Sequence, residues 1–299
     1  MKEKNNHKEF NIILKGLMTR YSTRVPAVEN IIQAMINKNI INHHDDIIND
    51  HIAFRTMGVP QLGIQSLEKI FLHYGYTKED KYIFKTKKLT AYWYKPPKES
   101  INLPRVFISE LNVNQLPPQV QKIIKKYTNE VSSDPVNTLN LDNGTEIDTF
   151  LHSPLWSTPT LEEYQALRTE SEYASWVIYN RYYLNHFTIS VHALPEPYNN
   201  LNKFNDFLES IGITLNDAGG KIKTSEDGFL RQSSTVAEQV KATFPTKKND
   251  TTIDIAGSYV EFAERNIMPT GERRDGFEAS NADKIFESTF SEQMDKNIS

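Results

Sequence analysis

Apolar and polar positions along this chain fall into a pattern that occurs twice. "DHIAFRT" at residues 50–56 and "NHFTISV" at residues 185–191 each set a polar residue and a histidine ahead of a short alternating run. Such alternation predicts a strand. An amphipathic helix follows each one. In "QSLEKIFLHYGY", Leu67, Ile70, Phe71 and Tyr74 share one side, and Gly75 marks the stop. In "NKFNDFLESIGI", Phe204, Phe207, Leu208 and Ile211 do the same ahead of Gly212. Counting back from the two glycines pairs these apolar positions one for one. Strand-like runs come next: "KYIFKT", "LTAYWYKP" and "RVFISEL" in the first half, and segments near "KIKT", "GFLRQSST" and "GSYVEFAER" in the second. Duplication of one strand–helix–three-strand unit explains this order better than chance. His51 and His186 then hold equivalent places and should converge on one site.

The remaining segments surround the two units. Residues 8–20 and 27–38 read as helices, the second with Val28, Ile31, Ile32, Met35 and Ile36 at helical spacing. Between the units, "LPPQVQKIIKKYTNE" predicts a helix and "VSSDPVNTLNLDNGTEID" a polar loop. Thr160 and Glu163 then fit a capping box. "NADKIFESTF" reads as a closing helix and "SEQMDKNIS" as a frayed tail. The predicted class is α+β, one body over residues 1–299. Its parts are N-terminal helices (1–45), a first βαβββ module (46–112), a helical insertion (113–183), a second module (184–266) and a closing segment (267–299).

Composition narrows the chemistry. A formal net charge of −4 gives no broad basic field for nucleic acid. No stretch approaches the roughly 18 apolar residues of a membrane span. "MKEKNNHKEF" lacks the apolar core of a secretory signal, so the expected location is cytoplasmic. Cysteine is absent, which excludes disulfides, thiolate metal sites and thiol nucleophiles. Any metal must be held by His, Asp and Glu.

Strand alternation sorts the candidates onto faces. His51, Ala53 and Arg55 point one way; His186, Thr188 and Ser190 share a face; Tyr259, Glu261, Ala263 and Arg265 share another. Two histidines and one carboxylate on three strands make the facial triad of non-haem iron(II) oxygenases, against the plainer reading of hydrogen-bonded core histidines. Glu110 ends the run expected to match that of Glu261. His192 could share the face of His186 as a spare, whereas His7, His43, His44, His73 and His152 read as solvated. Arg55 suits a substrate carboxylate or, alternatively, a structural salt bridge. In "GFLRQSST", Leu230, Gln232 and Ser234 form one face and Arg231 and Ser233 the other; either could line a pocket. The runs "TKKND" and "HHDDIIND" read as solvated loops.

The doubled unit, with ligands on its first and last strands, resembles the vicinal oxygen chelate superfamily. More closely, "DHIAFRT", "NHFTISVH", "GGKIKTSEDGFLRQSST", "GSYVEFAER" and "RRDGFEASNADKIFEST" are similar to the 2-oxoadipate dioxygenase/decarboxylase family, from about residue 45 to 290. The resemblance implies a vicinal-oxygen-chelate-like curved sheet and Fe(II) held by His51, His186 and Glu261. It also implies substrate contacts from Arg55 and from a late loop at Ala279 and Ser280. Gln232 is a further substrate candidate, with Glu110 and Tyr259 behind the ligands. The implied reaction is oxidative decarboxylation of a 2-oxo acid by O2, giving 2-hydroxyglutarate and CO2 from 2-oxoadipate. Expected partners are that acid and O2, without nucleic acid or membrane, in a monomer or homodimer. Two alternatives stay open: a metal-dependent isomerase or lyase using Ni(II), Mn(II) or Zn(II), with Glu110 as a fourth ligand, and a non-catalytic binding protein.

Overall fold

The computed structural model describes residues 2–98, 103–246 and 249–295. Two helices open the chain, α1 (Lys2–Arg24) and α2 (Pro26–Asn37). The first module follows: β1 (Asn49–Met57), α3 (Ile64–His73), β2 (Thr77–Phe84), β3 (Leu89–Lys95) and β4 (Arg105–Leu111). Four helices come next: α4 (Pro118–Thr128), α5 (Gly144–His152), α6 (Leu161–Glu170) and α7 (Glu172–Asn180). The predicted capping box forms at the start of α6, where Thr160 accepts from the Glu163 backbone. The polar loop is shorter than expected, because α5 begins at Gly144 with Asn143 as its cap.

The second module contains β5 (His186–Ser190), α8 (Leu201–Ser210), β6 (Lys223–Thr224), β7 (Leu230–Ser234) and β10 (Tyr259–Arg265). A hairpin of β8 (Gln239–Phe244) and β9 (Thr251–Ala256) is inserted before its last strand. That hairpin is not among the predicted elements, although Val240, Ala242 and Phe244 alternate in β8. Its Phe244 packs on Tyr164 and Tyr179. Its turn carries the "TKKND" run, of which residues 247–248 lie outside the described residues. The chain closes with α9 (Ala279–Ile285) and the short α10 (Ser291–Met294). The segment expected to fray is therefore helical as far as Met294, which is buried against Val236, Ala237, Tyr259 and Ile285. Residues 296–299 lie outside the described residues.

Eight strands form one curled half-barrel sheet in the order β2-β3-β4-β1-β5-β10-β7-β6. The order reads the same from both edges once the modules are matched, β1 with β5, β4 with β10, β3 with β7 and β2 with β6. β1 and β5 meet antiparallel at the centre, with His51 opposite Thr188 and Ala53 opposite His186. β4 runs parallel to β1, and β10 parallel to β5.

The module helices share their termini. Gly75 and Gly212 take φ of 85° and 82°, conformations that glycine adopts without a Cβ penalty. Each is followed by the same closing bond, Tyr76 N to Phe71 O (3.1 Å) and Ile213 N to Leu208 O (3.0 Å). At the other end, Glu110 Oε2 accepts from Ile64 N (2.9 Å) and Glu264 Oε2 from Leu201 N (2.7 Å). One face of the sheet packs on these helices; Phe54 against Phe71 and Phe262 against Phe204 are examples. The other face carries the polar site.

Candidate metal centre

Register brings the predicted ligands together. Thr188 on β5 is paired with His51 on one side and with Glu261 on the other, and His186 lies two residues away on the same face. The ligand atoms all fall within 4.8 Å of one another. His51 Nε2 is 3.2 Å from His186 Nε2 and 3.5 Å from Glu261 Oε1; His186 Nε2 is 3.2 Å from Glu261 Oε2. Adjacent ligands on one face of an octahedron, at metal distances of about 2.0–2.2 Å, lie roughly 3 Å apart. The three observed separations fit that arrangement, and the N2O donor set suits a divalent transition metal. All three side chains are buried.

A polar residue precedes each histidine and holds its other nitrogen. Asp50 Oδ2 lies 2.9 Å from His51 Nδ1, and Asn185 Oδ1 lies 3.1 Å from His186 Nδ1. Fixing Nδ1 in this way presents Nε2 to the metal position. Strand neighbours ordinarily face apart, but the pairing slips between Asn49 and His51. This bulge turns Asp50 toward the site. Arg265 clasps the same carboxylate at 2.7 and 2.9 Å. Asp50 is thus buried and ion-paired, a correction to the reading of "HHDDIIND" as solvated throughout.

Charge divides the two imidazoles. Burial opposes protonation of His51, but the carboxylates of Glu261 and Asp50 outweigh it and raise its pKa. Burial, the neighbouring His51 and Arg55 hold His186 well below the ordinary histidine value. Burial would raise the Asp50 pKa, but Arg265, His51 and Arg105 hold it well below the carboxylate range.

Arg55 lies along β1 from His51, on the same face, and is buried among Tyr173, Trp176 and Phe286. It donates to Thr289 Oγ1 (2.9 Å) and Phe286 O (3.2 Å). Among the described residues no carboxylate lies within ion-pair distance of it, so the structural salt bridge is not its role. Its Nε and the adjacent Tyr259 hydroxyl are buried without a well-formed hydrogen bond. The Tyr259 ring lies against His186 at 4.8 Å. Gln232 lines the cavity, but its amide is committed: Nε2 donates to Glu261 Oε1 (2.6 Å), and Oε1 accepts from Asn281 (3.0 Å). That bond orients the carboxylate. The face of β7 left open by the sequence is therefore that of Gln232, while Ser233 turns to Asn205 on α8.

Three expectations are corrected. Glu110 is not behind the ligands. Matching His51 with His186 by register makes Phe107, opposite Ala53, the counterpart of Glu261, opposite Thr188. Glu110 matches Glu264 instead, and both face the helices. Ser280 is exposed at the start of α9 and Ala279 is half-buried. The helical phase turns Asn281, Ala282 and Ile285 inward instead. The residues of this segment that line the cavity are Phe277, Ala282, Ile285 and Phe286. Finally, His192 lies on a 3-10 turn after β5, where its Nδ1 accepts from Arg265 N (3.2 Å). The residues that sequence reasoning missed are Asp50, Asn185, Phe107, Phe277 and Asn281. Only the first two had a signal, the polar residue repeated before each histidine.

Comparison with known proteins agrees with the geometry. Residues 13–275 match the model of the 2-oxoadipate dioxygenase/decarboxylase family. The chain is 42% identical, over 309 aligned positions, to the chloroplastic 2-oxoadipate dioxygenase/decarboxylase of Arabidopsis thaliana, covering 96% of this chain and 79% of that protein. It is 39% identical to the chloroplastic/amyloplastic protein of the same name from Oryza sativa subsp. japonica, covering 95% and 80%. Among solved structures, hydroxyglutarate synthase from Oryza sativa in complex with 2-oxoadipate superposes with a TM-score of 0.86 at 38% identity, covering 98% of this chain and 95% of that one. A putative glyoxalase superfamily protein from Ralstonia eutropha, 18% identical, shares the fold (TM-score 0.72, covering 89% and 85%). Both curated plant relatives carry plastid names, which overturns the cytoplasmic expectation. With its ligands, their supports and its doubled sheet accounted for, the chain belongs to the 2-oxoadipate dioxygenase/decarboxylase family.

Proposed function

We propose that this chain is a non-haem Fe(II)-dependent dioxygenase/decarboxylase that converts a 2-oxo acid, 2-oxoadipate, to 2-hydroxyglutarate and CO2. One observation carries the reading. On a single face, an N2O triad at adjacent-ligand spacing lies near a buried guanidinium that has no carboxylate within ion-pair distance among the described residues. The rice relative was solved with 2-oxoadipate, which supports the choice of acid. His51, His186 and Glu261 would hold the metal, whose chemistry when bound is to engage the 2-oxo acid group and activate O2.

The protein's own groups do the rest. Asp50 and Asn185 keep both imidazoles turned inward, and Gln232 keeps Glu261 oriented. Arg55 binds the distal carboxylate, so the reacting carbon stays near the triad. Phe107, Phe277 and Phe286 line the cavity with apolar surface and limit water there. Glu110 faces away, so among the described residues no fourth carboxylate joins the triad, and the observation that favoured an isomerase or lyase is removed.

The decisive measurement is O2 uptake by anaerobically iron-loaded protein given 2-oxoadipate. One O2 should be consumed for each CO2 and each 2-hydroxyglutarate formed. Consumption of the acid without O2 would sink this reading in favour of an isomerase or lyase. No turnover and no metal uptake would point to a binding protein.

A further inference from the structure

We infer that Arg265 is a positioning residue that couples the closing loop over the cavity to the orientation of His51, acting through Asp50; this rests on the metal-centre reading above. Its donors divide between two tasks. Nε and Nη2 hold the two Asp50 oxygens at 2.7 and 2.9 Å, and Asp50 Oδ2 in turn holds His51 Nδ1 at 2.9 Å. Nη1 donates to Gly276 O (2.7 Å) and Arg274 O (3.2 Å), two carbonyls of the loop between β10 and α9. The next residue, Phe277, lies under the same guanidinium at 5.5 Å and meets the His51 ring edge-on at 4.7 Å.

Arg265 is fully buried, as is Asp50. Lifting the loop would strip acceptors from a buried guanidinium with no water to replace them, which is costly. Rotating His51 would in the same way leave Asp50 short of a partner. Loop position and imidazole orientation are thus tied to one set of hydrogen bonds. Coupling of this kind is reciprocal: whatever fixes His51 must also fix the loop.

The duplicated module supplies an internal comparison. Among the described residues His186 Nδ1 is held by the neutral Asn185 alone, and the position matching Arg265 is Leu111 of β4, paired with Met57 of β1. Among the described residues, only His51 is linked in this way to the cover.

The test uses Mn(II) as the probe, with binding read from loss of its free-ion electron paramagnetic resonance signal. The second readout is tryptic cleavage after Arg273 and Arg274, on the loop itself. In the wild type, saturating Mn(II) should slow that cleavage. Asp50→Asn and Arg265→Met should each weaken Mn(II) binding by about 10- to 100-fold and abolish the metal-dependent protection even at saturation. The double variant should be little worse than either single one, because the two residues act as a unit. Asn185→Ala should weaken binding yet keep the protection. Wild-type Mn(II) affinity, or intact protection, in a folded Asp50→Asn protein would overturn the inference. That near-isosteric variant decides the matter if Arg265→Met fails to fold. A wild type that binds no divalent metal would overturn the metal-centre reading and this inference together, which separates the two failures.

Discussion

Arg55 and Lys223 are two buried cations that lack a carboxylate within ion-pair distance among the described residues, and they have opposite prospects. Arg55 is set on the site face between three aromatic rings, with only a hydroxyl and a carbonyl accepting from it. A dicarboxylic substrate can supply the missing charge. Arg55→Met should leave metal binding intact and lower kcat/KM about 10- to 100-fold, the size of a lost hydrogen bond to a charged group. Comparing 2-oxoadipate with a 2-oxo acid lacking the distal carboxylate checks the assignment: the variant should lose the wild type's discrimination, and undiminished discrimination would remove Arg55 from that role. Lys223 lies near α9 with its Nζ donating to Asn216 O (2.7 Å), and burial pushes its pKa down to about 8. In the unfolded chain it retains its proton to near its usual value of about 10.5. Between those pH values the unfolded state binds more protons, so this residue's contribution to stability rises with pH. Below pH 8 the full penalty is present. Lys223→Met should therefore be roughly 1–3 kcal/mol more stable than the wild type at pH 7, with the gap narrowing between pH 8 and 10.5. Urea unfolding at several pH values tests this, and parallel curves would contradict it.

Helix termini show duplication at the scale of elements. α3 and α8 each start against a glutamate from the last strand of their module and each end on a glycine with φ near +80°. A carboxylate at a helix start satisfies a free N–H and complements the helix dipole. Glu110→Ala should thus cost about 1–2 kcal/mol of stability while leaving metal content unchanged. Metal loss comparable to that of Glu261→Ala, by elemental analysis, would return Glu110 to the site. The closing segment is another element whose role depends on its partners. Asn216 bonds to Lys284 O and Ser288 Oγ, and Ser234 to Ser288, fastening that segment to the sheet. The same segment supplies four residues lining the cavity.

Across the whole molecule, the central β1–β5 pairing makes the site a joint product of both modules. His51 comes from one module, and His186 and Glu261 from the other, so neither can assemble the triad alone. The N-terminal helices reinforce the join: the Tyr21 hydroxyl donates to Tyr259 O, at the start of the ligand strand β10. A fragment of residues 1–183 would expose the β1 edge and lack two ligands. It should show no cooperative thermal transition and no Mn(II) binding. A sharp transition with metal uptake would show that the first module is self-sufficient.

Local pattern was enough to reveal the repeat. Period-2 and period-3.6 spacing depend on neighbours a few residues apart, so the histidine strands, the module helices and the stops at Gly75 and Gly212 could be read directly. The equivalence of His51 and His186 followed from that order, and the face shared by Glu261 and Tyr259 from strand alternation. Tertiary structure decided what depends on distant pairing. Cross-strand register made Phe107, not Glu110, the counterpart of Glu261, because counting along a run does not say which residue lies opposite. A bulge turned Asp50 inward from a segment that composition marks as solvated. Helical phase and packing placed Asn281 on Gln232 and left Ser280 outside. Sequence determined which residues could build a site. Pairing across the sheet and burial under the closing segment decided which of them do, because those contacts join residues far apart in the chain.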